Sequence, residues 1–479
     1  MTESSPANKS ANYATMAPRW ALLNAVIGGT ETMRAAAQSL LPIYEAETEK
    51  SYKARLNGAV LANYLELTLN SLSGKPFSEP MKLVDVPEAL EPVLDDVDLC
   101  GNSLEVFARS FFREGMLKGF SIVMVDSPRA GATDGPRTIA DDREQNLRPY
   151  AVKIAPENVI ALYSDMVSGV EMITHMRVVE YVREIVGFDE VTIKQIRVLT
   201  PGNVAIYRED KQDSDKWVMV DSWESGLSYV PVVVYYTTRD GAGLCKPPLL
   251  DLAYLNVAHW QSTSDQRRVL SISRFPILAA TGVDSDNVLK LAPNSVLYTS
   301  ENGKYYYVEH SGAAIESGRL DLKDLEESMA AYGASFLTKK SGTQTATARA
   351  LDSSESSCDL SAMTIAFEDA LAKMLYMFAD WYRMNGFSGR VELVKNYTIT
   401  ESDRATITAL KDMRSSRDIS RKAYVAEMKA LGVLSEEYDE EADAEELRAE
   451  AMEIGAVGDD LDAQQVDDQD DGEAQEAQE

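Results

Sequence analysis

Cysteine is scarce: Cys100, Cys245 and Cys358 are odd in number, far apart and never in a CxxC pair. A disulfide framework and a structural zinc site are therefore both excluded as expectations. Histidine is equally rare, with only His175, His259 and His310. Their spacing builds no cluster, and each is expected to be a surface residue or a satisfied core residue. No apolar run approaches the roughly 18 residues of a membrane span, so none is expected. The N-terminal stretch "MTESSPANKSANYATM" lacks the basic-then-apolar order of a signal peptide, which predicts synthesis in the cytosol. The glycosylation sequons at Asn8 and Asn396 carry no meaning without secretion.

Catalytic signatures are missing too. The segment "SFLTKKSGTQTATARALDS", Ser335 to Ser353, sets Lys340-Ser341 without the glycine before the lysine that a phosphate-cradling GxxxxGK[ST] needs. No strand is predicted before it. "GAGLCK" at Gly241 offers only GxG and runs into Pro247-Pro248, which spoils a dinucleotide fingerprint. HExxH, GxSxG and an EF-hand loop do not occur. Acidic residues are so abundant that any chosen carboxylate dyad would be arbitrary. The expectation is a protein with no catalytic site, no cofactor and no metal.

What is present begins with size. At 479 residues, 45% hydrophobic and 26% charged, the chain has the make-up of a folded protein with more than one core, about three domains as a prior. The net charge of −30 is uneven. Residues 436–479 hold twenty Asp or Glu and one basic residue, Arg448, and so carry −19 of it. The final stretch "GDDLDAQQVDDQDDGEAQEAQE" has almost nothing to bury and predicts an extended acidic tail.

Periodicity predicts helices first. "APRWALLNAVIGG" stops at Gly28-Gly29, and "YEAETEKSYKARLNGAVLANYLELTLNSLSGKPF" spaces Leu56, Val60, Tyr64, Leu67 and Leu72 at helical steps. "NSLEVFARSFFREGMLKG" is a further helix. The period then shortens. "GFSIVMVDSP", "PYAVKIAPENVIALY", "ITHMRVVEYV", "VTIKQIRVLT", "NVAIYRED", "KWVMVDSW" and "YVPVVVYYTT" read as strands of a β-rich unit. Helical character returns in "CKPPLLDLAYLNVAHWQSTSDQRRVLSISRFP", apolar in its first half and polar from Gln261 to Arg268, so it is expected to be buried at one end only. Strand-like "ILAATGV", "NSVLYTS" and "KYYYVEH" follow, then a helix in "LDLKDLEESMAAYGASFL" and a long helix from about Ala346 to Asn385 that takes in "SSESSCDLS". The segment Ser416–Gly455 predicts two helices broken at Gly432. Tyr305, Tyr306 and Tyr307 suit a strand with alternating faces, and Arg267 and Arg268 suit a solvated helix face. The fold class is α+β, mainly helical.

Several of these stretches, in this order, resemble the portal proteins of tailed bacteriophages, the head-to-tail connectors. They are "YEAETEKSYKARLNGAVLANYLELTLNSLSGKPF", "GFSIVMVDSP" followed by "RPYAVKIAPENVIALY", "YVPVVVYYTT" leading into the Pro-Pro helix, and "DISRKAYVAEMKALGVLSEEYDEEADAEEL". They span most of residues 20–450. The resemblance implies a wing from residues 1–117 (helical) and 118–246 (β-rich), and a first stem helix at 247–274. It also implies a clip at 275–317, a second stem helix at 318–337, a tunnel loop at 338–346, a wing helix with its following segment at 347–414, crown-like helices at 415–455 and an acidic tail at 456–479.

It implies, further, a closed ring, typically of twelve copies, at one capsid vertex of the virion, assembled in the host cytoplasm, with double-stranded DNA on its axis. The implied partners are the terminase large subunit, the head–tail adaptor and the major capsid and scaffold proteins, with no membrane. The tunnel loop would bring Thr338, Lys339, Lys340, Ser341, Gly342, Thr343, Gln344 and Thr345 to the DNA, and Arg267 and Arg268 are channel-facing candidates on the stem. Hydroxyl and amide groups exchange hydrogen bonds with phosphate, and the two lysines add modest attraction. Two other readings compete: a magnesium-dependent packaging nuclease built on clustered carboxylates, and a minor head or scaffold-like virion protein without a DNA channel.

Overall fold

The computed structural model describes residues 5–128, 147–210, 216–274, 277–281, 303–308, 312–337, 358–395, 397, 401–430, 433–434, 438–439 and 442–443. Helix α1 (Ala11–Ile27) starts where the Ser10 hydroxyl accepts from the Tyr13 amide at 3.1 Å, and it buries Met16, Trp20, Leu23 and Val26 on one face. Gly28 ends it as expected, but α2 (Gly29–Ala36) begins at once. The next periodic stretch is two helices rather than one, α3 (Glu49–Gly58) and α4 (Tyr64–Gly74).

Side chains from elsewhere hold the break open. Arg34 donates to the Ala59 carbonyl at 2.8 and 3.1 Å. Buried Asn256 donates to the Ala62 carbonyl at 2.8 Å and accepts from the Leu65 amide at 3.1 Å. Backbone groups freed from the helix ladder are thus satisfied by partners remote in sequence.

A short strand β1 (Lys82–Val84) and α5 (Glu91–Leu94) lead to α6 (Leu104–Lys118), which passes through Gly119 into β2 (Phe120–Asp126). Gly119 has φ +89°, and a Cβ there would lie 2.2 Å from the Cys245 sulfur. Gly119→Ala combines a left-handed backbone penalty of about 1–2 kcal/mol with that clash. Urea unfolding should show a loss of at least about 2 kcal/mol, partly recovered in the Gly119→Ala, Cys245→Ala double variant. An unchanged midpoint would contradict this geometry.

Strand β2 is the middle of an antiparallel sheet between β3 (Tyr150–Ile154) and β9 (Val232–Tyr236), and its first six residues are buried. The expected single strand from Pro149 to Tyr163 is split. Pro156 opens a 3-10 turn, Pro156–Asn158, and β4 (Val159–Val167) enters a different sheet. Proline cannot donate to a ladder, so the chain leaves one sheet and joins the other there. The second sheet is an antiparallel meander of β4, β5 (Val170–Val186), β6 (Asp189–Thr200), β7 (Asn203–Glu209) and β8 (Trp217–Glu224). Met16 and Trp20 of α1 pack with Phe120, Ile122, Met176 and Leu199 in a core shared by both sheets.

Helix α7 (Leu250–Ser273), strands β10 (Ile277–Thr281) and β11 (Lys304–Val308), helix α8 (Ala313–Ser335) and helix α9 (Asp359–Trp381) follow. Three boundaries differ from expectation. Helix α8 starts at Ala313, several residues before Leu320. Helix α9 does not run from Ala346, because Cys358 is extended at φ −91°, ψ 158° and its sulfur accepts from the Ser361 amide at 3.4 Å as an N-terminal cap. It also ends at Trp381 rather than Asn385. Strand β12 (Arg390–Glu392) pairs with β1.

Residues from Asn396 form a second compact unit with α10 (Glu401–Ser415) and α11 (Arg421–Ala430). In it Arg421 meets Asp443 at 2.9 Å, and Val425 and Met428 are buried. The expected break at Gly432 and the acidic tail lie outside the described residues. The fold is α+β.

Candidate functional site: a helical hairpin with a strand-paired tip

Helices α7 and α8 run antiparallel. Tyr332 donates to the Pro248 carbonyl at 2.8 Å, His259 meets Glu326 at 3.3 Å, Ser262 donates to Asp321 at 2.6 Å, and Gln266 donates to the Ile315 carbonyl at 2.8 Å. Position rises along one helix as it falls along the other. At 1.5 Å per residue the two arms are about 36 and 34 Å long. A Cβ on Gly318 would lie 2.2 Å from the Gln266 side chain, so glycine permits the close approach near the far end. The chain between the helices carries β10 paired antiparallel to β11, with Ala279 opposite Tyr306. Tyr306 is half exposed.

The root of the hairpin is embedded and its far part is not. Leu252, Ala253, Asn256 and Trp260 of α7 are buried, whereas Arg267 and Arg268 are exposed, as the split composition of that helix predicts. Helix α8 buries only Met329 and shows the rest of its length to solvent, to α7 or to α4, where Gly333 lies against Thr68. Its residues sum to −3, from Glu316, Asp321, Asp324, Glu326 and Glu327 against Arg319 and Lys323.

An ion cluster fastens α7 to the chain before α3. Arg55 donates twice to Glu47, at 3.1 and 2.8 Å, and once to the Pro42 carbonyl at 2.6 Å, while Arg268 donates to the same carboxylate at 2.8 Å. Tyr44 donates to Asp265 at 2.6 Å and lies 4.5 Å from the Arg55 guanidinium. Burial, then the hydrogen bond to Asp265, pushes the Tyr44 hydroxyl up to about 12. The hydrogen bonds from Arg55 hold the Glu47 carboxyl below its usual range.

Of the two stem candidates, Arg268 is therefore tied to Glu47, and Arg267 donates to the Gly58 carbonyl at 3.4 Å. Both stand next to α3. The loop candidates Thr338, Lys339, Lys340, Ser341, Gly342, Thr343, Gln344 and Thr345 lie outside the described residues. Their flanks are described: the Leu360 amide donates to the Phe336 carbonyl at 3.3 Å, so the chain on either side of residues 338–357 is brought together.

Other chemistry is scarce. Among the described residues no three His, Cys, Asp or Glu side chains converge on a metal position, and no helix is long and apolar enough to cross a membrane. The three cysteines are unpaired thiols. Burial pushes the Cys245 thiol up to about 12, far from a reactive thiolate. Burial lowers His175, with Arg177 adding to the effect.

Sequence reasoning missed one large feature, a cleft of about 1130 Å³ between β9, the start of β5 and α9. Val234, Tyr236, Tyr376, Met377 and Trp381 line it, and Tyr229 donates across it to Asp380 at 2.8 Å. Burial, then that hydrogen bond, raises the Tyr229 hydroxyl above its ordinary value.

A family model described as "Domain of unknown function (DUF4055)" matches residues 248–382, the stretch from the root of α7 to the end of α9. No curated protein matches. Solved structures with similar chain course come from gene transfer agent particles. One is from the virion of the native particle: 10% identity, 84% of this chain and 98% of that one, TM-score 0.40. Two others are from the neck of the native particle computed with C12 symmetry and of the empty particle computed with C6 symmetry. Each is 10% identical, with 77% and 76% of this chain aligned to 90% and 88% of those chains, at TM-scores of 0.40 and 0.39.

Proposed function

We propose that the chain is a portal protein: identical copies close into a ring at one capsid vertex, and double-stranded DNA passes along its axis during packaging and ejection. The observation that carries this reading is the α7–α8 hairpin. Two antiparallel helices of more than twenty residues rise from a buried root, and the connection between them bears a strand pair. The portal resemblance implies that combination of stem and clip. In it the clip meets the packaging motor and then the tail adaptor. The segment from Thr338 to Thr345, held between the adjoining ends of α8 and α9, encircles the duplex when repeated around the ring.

The electrostatics suit passage rather than retention. Helix α8 carries −3, and Lys339 and Lys340 offer two cations against it. Beyond a Debye length of about 8 Å at physiological salt other charges are screened, so the nearest walls decide the contact. The role needs no catalytic site.

Electron microscopy of the purified protein tests the reading directly: top views should show a cyclic ring with a central hole wide enough for a duplex. Monomers or dimers under all conditions would argue for a virion component without a channel. In the Lys339→Ala, Lys340→Ala variant, rings should form normally while packaged DNA falls at least severalfold. Failure of that variant to assemble would make the segment structural and remove it from the channel.

A further inference from the structure

The meander sheet ends in a two-stranded prong. Strand β4 pairs with β5 only as far as Val178, and β7 pairs with β6 only down to Gln195. Beyond those points β5 and β6 pair by backbone only with each other among the described residues, from Tyr181–Lys194 to the turn between Val186 and Asp189, while Arg208 and Glu209 of β7 reach the base of the prong through Glu184 and Lys194. At roughly 3.3 Å per residue the prong reaches about 20 Å past the sheet. A two-stranded ribbon is marginally stable alone in water. This one is also apolar: seven of the thirteen residues from Tyr181 to Ile193 are Tyr, Val, Ile or Phe. Ile185 is 82% exposed and Phe188 at the turn is fully exposed. Exposed apolar groups concentrated this way mark an interaction surface.

The cleft lies at the other end of the same strand. Val170 to Ile173, the first residues of β5, form part of its wall. From there to Val186 the strand runs on for roughly 45 Å. A continuous paired strand cannot fold back over that distance, so the prong cannot enter the cleft of its own chain. The cleft is slightly larger than the ~300–1,000 Å³ of ordinary small-molecule pockets, and aromatic and aliphatic side chains share its walls with serines and charged residues. Two of its acids are already engaged, Glu171 by Arg239 and Asp380 by Tyr229. Lys373 and Arg383, with Asp369, remain exposed at its edge. The prong brings Glu184, Asp189 and Glu190 against Arg183, net −2.

We propose that the β5–β6 prong of one copy docks in the β9–α9 cleft of the next. Prong and cleft are different patches at opposite ends of one strand, which makes the contact head-to-tail, the type that closes into a ring when the rotation allows. The inference rests on the ring reading and names the contact that closes it.

The test uses the full chain, with sedimentation velocity as the readout. Wild type should sediment as a multi-subunit assembly. Ile185→Asp with Phe188→Asp should be monomeric, as should Tyr376→Glu with Met377→Glu, each with an unchanged circular dichroism spectrum. Mixed, the two should give a one-to-one dimer and nothing larger, because one intact prong meets one intact cleft. In a Cys100→Ser background, oxidising a mixture of the Phe188→Cys and Tyr376→Cys chains should yield a disulfide-linked dimer on a non-reducing gel. A misfolded double variant leaves that cross-link as the deciding result. Wild-type-sized assemblies from either double variant, or no cross-link between the Phe188→Cys and Tyr376→Cys chains when they assemble like wild type, would overturn the prong contact and leave the ring standing. A monomeric wild type would overturn both.

Discussion

Glu47→Ala is expected to cost about 3–5 kcal/mol, among the largest effects available outside the aromatic core. The Glu47 and Arg55 side chains are 1% and 4% exposed, and the carboxylate takes both hydrogen bonds of a bidentate pair while also receiving Arg268. Removing it takes away the closest carboxylate of a buried guanidinium, leaving it the Pro42 carbonyl and Asp265 at 3.8 Å, with the partly exposed Arg268 beside it. The pair itself need not be worth that much, since desolvation offsets most of its attraction. Glu47→Leu combined with Arg55→Met should therefore recover most of the loss. A double variant as unstable as Glu47→Ala would mean that the pair contributes net stability.

Acidity offers a second check on the same carboxylate. Its folded pKa is depressed by the hydrogen bonds from Arg55. The stabilisation is thus present above the unfolded value of about 4.3 and disappears as pH falls through the folded value. The gap in urea midpoint between wild type and Glu47→Gln should be full at pH 7 and shrink below about pH 4. A gap that is constant with pH would show that the carboxylate is not the titrating group. Because Arg268 lies on α7, backbone amides from Gln261 to Arg268 should also exchange faster in Glu47→Ala.

Local chemistry was legible where it decided the structure. Val123, Met124 and their neighbours are an apolar run, and a buried strand is the only cheap place for them. The switch from apolar to polar at Gln261 in α7 maps directly onto its burial. What failed was set by distant partners. Nothing near Ala59 or Ala62 indicates that Arg34 and Asn256 will take their carbonyls and interrupt a helix. Cys358 looked like a small helical residue among serines, yet its sulfur caps the helix that follows.

The candidate site divides the same way. Short-range patterns define each helical arm and the strand-like pieces between them, whereas the pairing of the arms as a stem was implied only by the portal resemblance. The cleft joins Val232–Tyr236 to Tyr376–Trp381 across some 140 residues, and no local pattern encodes that meeting. The prong was hidden for a different reason. Apolar residues from Tyr181 to Ile193 look like any strand pair, and only the lengths of β4 and β7 reveal that no further strand of the described chain pairs with them.

Phe367→Ala should cost a further about 3–5 kcal/mol, and the position of its ring says why. Phe367 is fully buried in α9, with centroids 4.9 Å from Tyr235, 5.1 Å from Phe112, 5.4 Å from Phe111 and 6.3 Å from Phe77. One side chain thus joins α9 to α6, β9 and the turn after α4. Its removal forfeits apolar burial and leaves a cavity, and it also breaks edge-to-face pairs worth roughly 0.5–1.5 kcal/mol each. Ile365, two residues away on the outer face and 48% exposed, provides the control: Ile365→Ala should stay within about 0.5 kcal/mol. Equal urea midpoints for the two variants would mean that α9 is not seated on this core. The consequence extends to function. Helix α9 supplies one wall of the cleft and, through the Leu360 amide, one footing of the segment that carries Lys339 and Lys340. Under the proposed ring, loosening it should weaken subunit association and DNA passage together, whereas the lysine substitutions should affect passage alone.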